Sequence, residues 1–298
     1  MEKRKFPPRH IRIKEFGIDA VLEKIPDSAY LEVTNDSLSH DTFVLTTDSN
    51  GFIIDPNSLD GADAPIFVFG DSFVESTFVQ QGRRFCDLLT RRMATAGTPR
   101  QFLNGGYSGA TSLLLLNALI NKVGYRKNST VLLVLPSNDT LAMGFERGLW
   151  DYSSKRYSPI LPVDGADCRQ CPATQNLPQL EGVLRAFAAT ARSFRLDLVF
   201  ATTPYMQRAF EGEPWFLARY SKTPGRYERL IDARRRSSEV MRRVATEAGV
   251  HLLDLEVEFN EPAHFYDDLH LNSAGSAAMA EMIYRQIGDR LAQTAVNS

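Results

Sequence analysis

Thr130-Val131-Leu132-Leu133-Val134-Leu135 is the stretch that decides the fold. It is continuous, apolar and β-branched, with no polar alternation, and so reads as a strand buried on both faces. A strand of that kind needs a helix layer on each side, which predicts a parallel sheet in an α/β architecture. The same rhythm extends outward in both directions. Upstream lie the apolar run Pro65-Ile66-Phe67-Val68-Phe69 ending at Gly70, a helical pattern over 83–96, a short strand over 101–103 and an apolar-periodic helix over 112–123. Downstream lie a helix over 180–194, the strand Asp197-Leu198-Val199-Phe200-Ala201, a basic helix over 227–248, the strand Val250-His251-Leu252-Leu253 and a last helix over 274–291. Five strands joined by right-handed helical crossovers predict a three-layer α/β/α sandwich, with function gathered at the carboxyl ends of the strands.

Two regions break the rhythm. Residues 1–63 read as a β-rich N-terminal extension packed on the main domain, 64–298. Within it Ala29-Tyr30-Leu31-Glu32-Val33 and Thr42-Phe43-Val44-Leu45-Thr46 alternate like paired strands, with turn signals at Asn35-Asp36 and Ser49-Asn50-Gly51. The irregular stretch 140–178 exceeds ordinary loop length, and loops of that size are commonly lids or binding loops. Its Trp150 and Tyr152 suit a cover over a substrate, or equally a structural insertion.

Composition narrows the function classes. The 298 residues carry 34 Lys and Arg against 36 Asp and Glu, a net charge of −2, so no basic surface able to neutralise many phosphates is implied and nucleic acid is not expected as a partner. No apolar run reaches the length of a signal-peptide core or a membrane span. As written the chain reads as cytoplasmic; a chain trimmed of a leader or anchor would be extracytoplasmic and look the same. Three cysteines argue against a disulfide-stapled scaffold. Cys86 reads as a small apolar group on a helix, while Cys168 and Cys171 form a lone CxxC, open to a zinc half-site, a redox pair or no role. The basic stretch 226–243, with Arg234-Arg235-Arg236, reads as a solvated face paired with Glu228, Asp232 and Glu239.

The residues that can carry chemistry sit where strands end. Gly70-Asp71-Ser72-Phe73 follows the first buried strand, where a serine projects its hydroxyl at the top of the sheet; the alternative is a helix cap or turn. Asp267-Asp268-Leu269-His270 lies between the last strand and the last helix. A serine base must be a neutral imidazole held by a carboxylate on its other nitrogen, and an aspartate three residues upstream can curl back to supply it. Asp267 is therefore the better orienter than Asp268, the alternative being a loop that caps the last helix at Asn272 or Ser273. His251, His264 and His40 are other candidate bases; His251 begins a buried strand and His264 precedes an aromatic pair, which favours structural roles. Asn104-Gly105-Gly106-Tyr107-Ser108-Gly109 and Pro136-Ser137-Asn138-Asp139 end two further strands and offer backbone and side-chain amides, each such donor to an oxyanion contributing on the order of 3 kcal/mol.

Together these blocks resemble the SGNH (GDSL-like) hydrolases: Gly70 to Phe73 resembles their GDS block, Asn104 to Gly109 their NxGxxG block, Asn138-Asp139 the end of GxND and Asp267 to His270 the DxxH block. The resemblance runs in order from Pro65 to about Leu291. It implies a flavodoxin-like sheet, hydrolysis of an ester or thioester without metal or cofactor, a Ser72, His270 and Asp267 triad, and an oxyanion hole built from the Ser72 amide, the Gly106 amide and the Asn138 side chain. Pro136 departs from the family, which usually carries glycine there, and stiffens the loop entering Asn138. The stretch 43–53, with Thr46-Thr47-Asp48-Ser49-Asn50-Gly51-Phe52, looks like the lead-in of SGNH domains associated with surface polysaccharide modification. A small acyl ester, such as an acetyl group on a sugar, is thus the expected substrate. Acyl transfer to a glycan, a lipase or thioesterase activity and a non-catalytic binding module are the alternatives, and the residues carry no reading of oligomeric state.

Overall fold

The computed structural model describes residues 10–57, 65–160, 169–207 and 212–296. Within them the strands β1 (Val21–Lys24), β2 (Phe43–Thr47), β3 (Ile53–Ile54), β4 (Ile66–Gly70), β5 (Phe102–Gly106), β6 (Thr130–Val134), β7 (Asp197–Ala201) and β8 (His251–Leu253) form one sheet in the order β1-β2-β3-β5-β4-β6-β7-β8. From β5 to β8 all neighbours are parallel, and these five strands follow the 2-1-3-4-5 order of a flavodoxin-like sheet. The expected five-stranded core is therefore present. The N-terminal strands add three more to the same sheet, because β3 pairs antiparallel with β5 through Ile53 and Asn104.

The buried strands divide their side chains strictly by parity, as a pleat requires. Phe67 and Phe69 of β4, Val131 and Leu133 of β6, and Leu198 and Phe200 of β7 face one core with helices Ser112–Ala118, Leu177–Ser193 and Arg226–Ala248. Ile66 and Val68, Leu132 and Val134, and Val199 and Ala201 face the other, covered by helices Phe85–Thr95 and Ser273–Val296. These are the two helix layers of the sandwich. Cys86 is buried in the second, an apolar filler as expected.

Several expectations need correction. Ala29 to Val33 is not a strand. Residues Ser28–Leu31 form a short helix capped by Asp27, whose side chain accepts the Tyr30 N–H at 2.7 Å. The strand paired with β2 is Val21–Lys24, an edge whose side chains are largely exposed, which is why no buried alternation marked it. The stretch 140–178 is less irregular than it reads: Asn138–Ala142 is helical, Gly148–Trp150 and Ala173–Asn176 are 3-10 turns, and helix Leu177–Ser193 begins inside it with Pro178 in its first turn. Cys168 lies outside the described residues. Cys171 packs within this insertion, its Sγ contacting the Phe145 carbonyl at 3.3 Å and the Asn176 amide at 3.4 Å. The basic helix is solvated only in part. Exposed Arg235 and Arg236 bond half-buried Asp232, but Arg234 is buried and reaches Asp268 at 2.8 Å.

Among the described residues no helix is long and apolar enough to cross a membrane, and no cluster of three or more His, Cys, Asp and Glu side chains is placed to hold a metal ion.

Candidate active site

Strand order reverses at β4, whose neighbours β5 and β6 lie on opposite sides of it, and ligands of open α/β sheets bind at such a switch point. Ser72 follows β4 directly. Gly70 ends that strand because a Cβ there would lie 2.2 Å from Val74 Cγ2, so the chain can fold back into the Ser72–Glu75 turn only with glycine. Asp71 is buried and acts as the hub of this corner. Its Oδ1 accepts the Phe73 N–H at 3.1 Å, and its Oδ2 accepts the Ser137 hydroxyl at 2.7 Å, the Asn138 N–H at 3.1 Å and the Asn138 side-chain amide at 2.9 Å. The position of Asn138 is thus fixed by Asp71, whatever stiffness Pro136 brings to the loop. Its neighbour Asp139 turns away and binds the Ser112 N–H and hydroxyl at 2.8 and 2.5 Å; burial raises its pKa to about 7.

The loop 265–271 closes on itself through the Tyr266 N–H to the His270 carbonyl, 2.9 Å. Asp267 curls back inside it, Oδ1 accepting the Leu269 and His270 N–H groups at 2.8 and 2.7 Å. Its Oδ2 lies 2.8 Å from His270 Nδ1, and His270 Nε2 lies 2.9 Å from Ser72 Oγ, 198 residues away in the chain. Tyr266 stacks on the imidazole with 9° between the ring planes. The structure therefore brings Ser72, His270 and Asp267 into one hydrogen-bonded line. His40 and His251 are exposed, the latter because β8 is an edge strand, contrary to its reading as the start of a buried one. His264 stacks on Phe259 at 5.0 Å, and none of these three faces the cavity at Ser72.

Arg219 gave no sequence signal. Carried on the short helix Pro214–Tyr220, it bonds Asp267 Oδ2 at 2.8 Å, the oxygen that also faces His270, and its Nε lies 3.3 Å from Asp268 Oδ1. Asp268 in turn takes Arg234 at 2.8 Å. Burial alone would push Asp267 up, but the charges of His270 and Arg219 and the His270 hydrogen bonds outweigh it and hold this carboxyl far below the usual carboxylate range. For His270, burial lowers the pKa, Asp267 more than reverses this and Arg219 opposes Asp267; the net shift is upward.

One expected donor is not available. Gly106 donates its N–H to Asn104 Oδ1 at 2.8 Å, and Asn104 Nδ2 bonds the Val74 carbonyl at 2.8 Å. Gly106 is instead a site of close approach, since a Cβ there would lie 2.1 Å from the Glu75 nitrogen. Gly109, three residues on, has φ +82° and meets no hydrogen-bond acceptor through its amide among the described residues.

A cavity of about 440 Å³ opens at Ser72 and His270. Its walls include Phe16, Lys24 and Tyr30 from the N-terminal segment, Tyr107 from the β5 loop and Arg156 from the insertion. The N-terminal segment is braced there by Asn35, which bonds the Phe265 and Tyr266 carbonyls at 2.9 and 2.7 Å. Trp150 and Tyr152 do not line it; Trp150 is exposed and Tyr152 stacks under Arg147.

The fold has relatives among known proteins. The structure resembles an acetyl xylan esterase, AlAXEase, at TM-score 0.52 and 15% identity, over 74% of this chain and 99% of that one. It also resembles a catalytic variant of Axe2, an acetylxylan esterase from Geobacillus stearothermophilus, at TM-score 0.53 and 17% identity, over 76% and 95%. An α/β hydrolase, LAE5, from the metagenome of Lake Arreo, Spain, aligns at TM-score 0.50 and 18% identity, over 76% and 96%. At these identities the likeness is one of fold. No curated protein matches. The profile of the GDSL-like lipase/acylhydrolase family matches residues 68–278, from β4 into the last helix, and the chain belongs to that family.

Proposed function

We propose that the chain is a serine ester hydrolase acting on small acyl esters, with O-acetyl groups on carbohydrate as the leading substrate class. The supporting observation is the line from Ser72 Oγ to His270 Nε2 at 2.9 Å and from His270 Nδ1 to Asp267 at 2.8 Å, opening into a cavity of ligand size. In this reading His270 takes the Ser72 proton as Oγ adds to the acyl carbon, and Asp267 stabilises the imidazolium. His270 then gives the proton to the departing alcohol oxygen, leaving an acyl-serine that water cleaves by the same steps in reverse. The oxyanion is met by the Ser72 amide and by the Asn138 side-chain hydrogen not given to Asp71, with the Gly109 amide as the candidate donor from the β5 loop in place of Gly106. The acetyl xylan esterases among the structural neighbours agree with an acyl-sugar substrate. On 4-nitrophenyl acetate, Ser72→Ala is expected to lower kcat by about 10⁴-fold or more. Retention of wild-type turnover would remove Ser72 from the mechanism.

A further inference from the structure

The walls of the cavity at Ser72 are unbalanced in charge. Lys24, Arg156 and Arg219 line it, and Glu75 is the one acid among its described lining residues. Glu75 is already engaged at both oxygens, by the Thr77 hydroxyl and the Ser108 N–H. Arg219 is spent on Asp267 and Asp268. Arg156 and Lys24 are different: each is exposed, and neither has an ion pair among the described residues. Arg156 is nonetheless seated in place, because its side chain lies directly on Gly109, where a Cβ would come within 2.8 Å of Arg156 Cγ and 3.2 Å of Nε. Any side chain at 109 would lift the guanidinium off the loop that borders Ser72. A further cation stands close by. Lys14 Nζ lies 5.1 Å from the ring centroid of Tyr107, a wall of the same cavity. Burial first, and then the neighbouring Arg12 and Arg156, lower the Lys14 pKa to about 8, with Glu75 opposing them. An anion entering the cavity would meet this group of cations.

We infer that the ester cleaved at Ser72 carries an anionic group, a carboxylate on an acylated acidic sugar, which Arg156 binds with Lys24 and Lys14 beside it. This rests on the hydrolase reading above and adds the charge of the substrate. The planar guanidinium matches a carboxylate in two parallel hydrogen bonds, which a neutral hydroxymethyl group cannot replace. The test is kcat/KM for a matched pair, O-acetylglucose and O-acetylglucuronate, with the wild-type protein and with Arg156→Gln, at low and high salt. 4-Nitrophenyl acetate serves as the neutral reference for the chemistry of Ser72. The acidic sugar is expected to be preferred by about tenfold or more, through KM, as a charged hydrogen bond implies. The preference is expected to shrink with salt and to fall toward unity in Arg156→Gln. Equal kcat/KM for the two sugars, an unchanged ratio in Arg156→Gln, or hydrolysis of 4-nitrophenyl acetate with neither sugar cleaved overturns this proposal while leaving the hydrolase reading standing. Turnover of 4-nitrophenyl acetate that survives Ser72→Ala overturns the hydrolase reading, and this one with it.

Discussion

Arg219→Met removes the cation shared by Asp267 and Asp268 and so tests how the His270 base is tuned. Asp267 is fully buried, and its Oδ2 is met at 2.8 Å by both Arg219 and His270. Without Arg219 that oxygen has the imidazole alone, and Asp268 keeps Arg234. Breaking a buried pair from one side costs roughly 3–5 kcal/mol, and Arg219 keeps a quarter of its side chain exposed, which places the loss at the lower end. At roughly 2–4 °C per kcal/mol for a chain of this size, Tm should fall by about 6–12 °C. The effect on His270 has a definite sign. Arg219 repels the imidazolium, so its removal favours protonation of a histidine that Asp267 already holds above its ordinary value. A unit charge about 5 Å away across an effective dielectric of about 20 is worth roughly 3 kcal/mol, an upper bound of about two pH units. The base form is the active one, so the acid limb of kcat/KM should move up by about one to two units, with activity lost at neutral pH and recovered in alkali. Arg219→Lys, which keeps the charge, should hold the limb near its wild-type position. A pH–rate profile of Arg219→Met with the limb unmoved or shifted down would refute the reasoning.

Other substitutions separate chemistry from architecture. Asp267→Asn should lower kcat by about 10⁴-fold by fixing the wrong imidazole tautomer, read in steady-state kinetics on 4-nitrophenyl acetate. Asn138→Ala should cost about 10²–10³ in kcat with KM nearly unchanged, as removal of one oxyanion donor does. Gly106→Ala should yield little soluble protein, since its Cβ would sit 2.1 Å from the Glu75 backbone, whereas Gly97→Ala, with nothing within 4 Å of its Cβ, should express well and lose no more than about 1–3 kcal/mol from its φ of +78°. Expression yield and thermal melts distinguish the two.

What was legible in the sequence was whatever repeats locally. Residues 130–135 and 197–201 announced buried strands because both faces of each are covered, and together with three further runs in order they sufficed for the parallel core. The blocks holding Ser72, Asp267 and His270 were readable from their residue types; Ser72 follows β4 directly, whereas helix Leu255–Glu258 and the turn Pro262–His264 separate Asp267 and His270 from the end of β8. The Asp267 to His270 spacing let one aspartate close on its own loop. The edge strand Val21–Lys24 was not legible, because exposed side chains leave no alternation, and the alternation seen at 29–33 belongs to a helix that Asp27 caps. Gly106 misled for a physical reason: glycine there relieves a clash with Glu75, and its amide is taken by Asn104, two residues away. Arg219, Arg156 and Lys24 reach the site from three distant segments through tertiary packing alone, and nothing in their local sequence marks them.

The central claim is that Ser72 is a nucleophile activated by His270. Covalent labelling with a fluorophosphonate, followed by peptide mapping in the mass spectrometer, tests it most directly. A single adduct on Ser72 is predicted, formed far more slowly in His270→Ala. An adduct on another residue, or esterase activity that persists with Ser72 unlabelled, would contradict it.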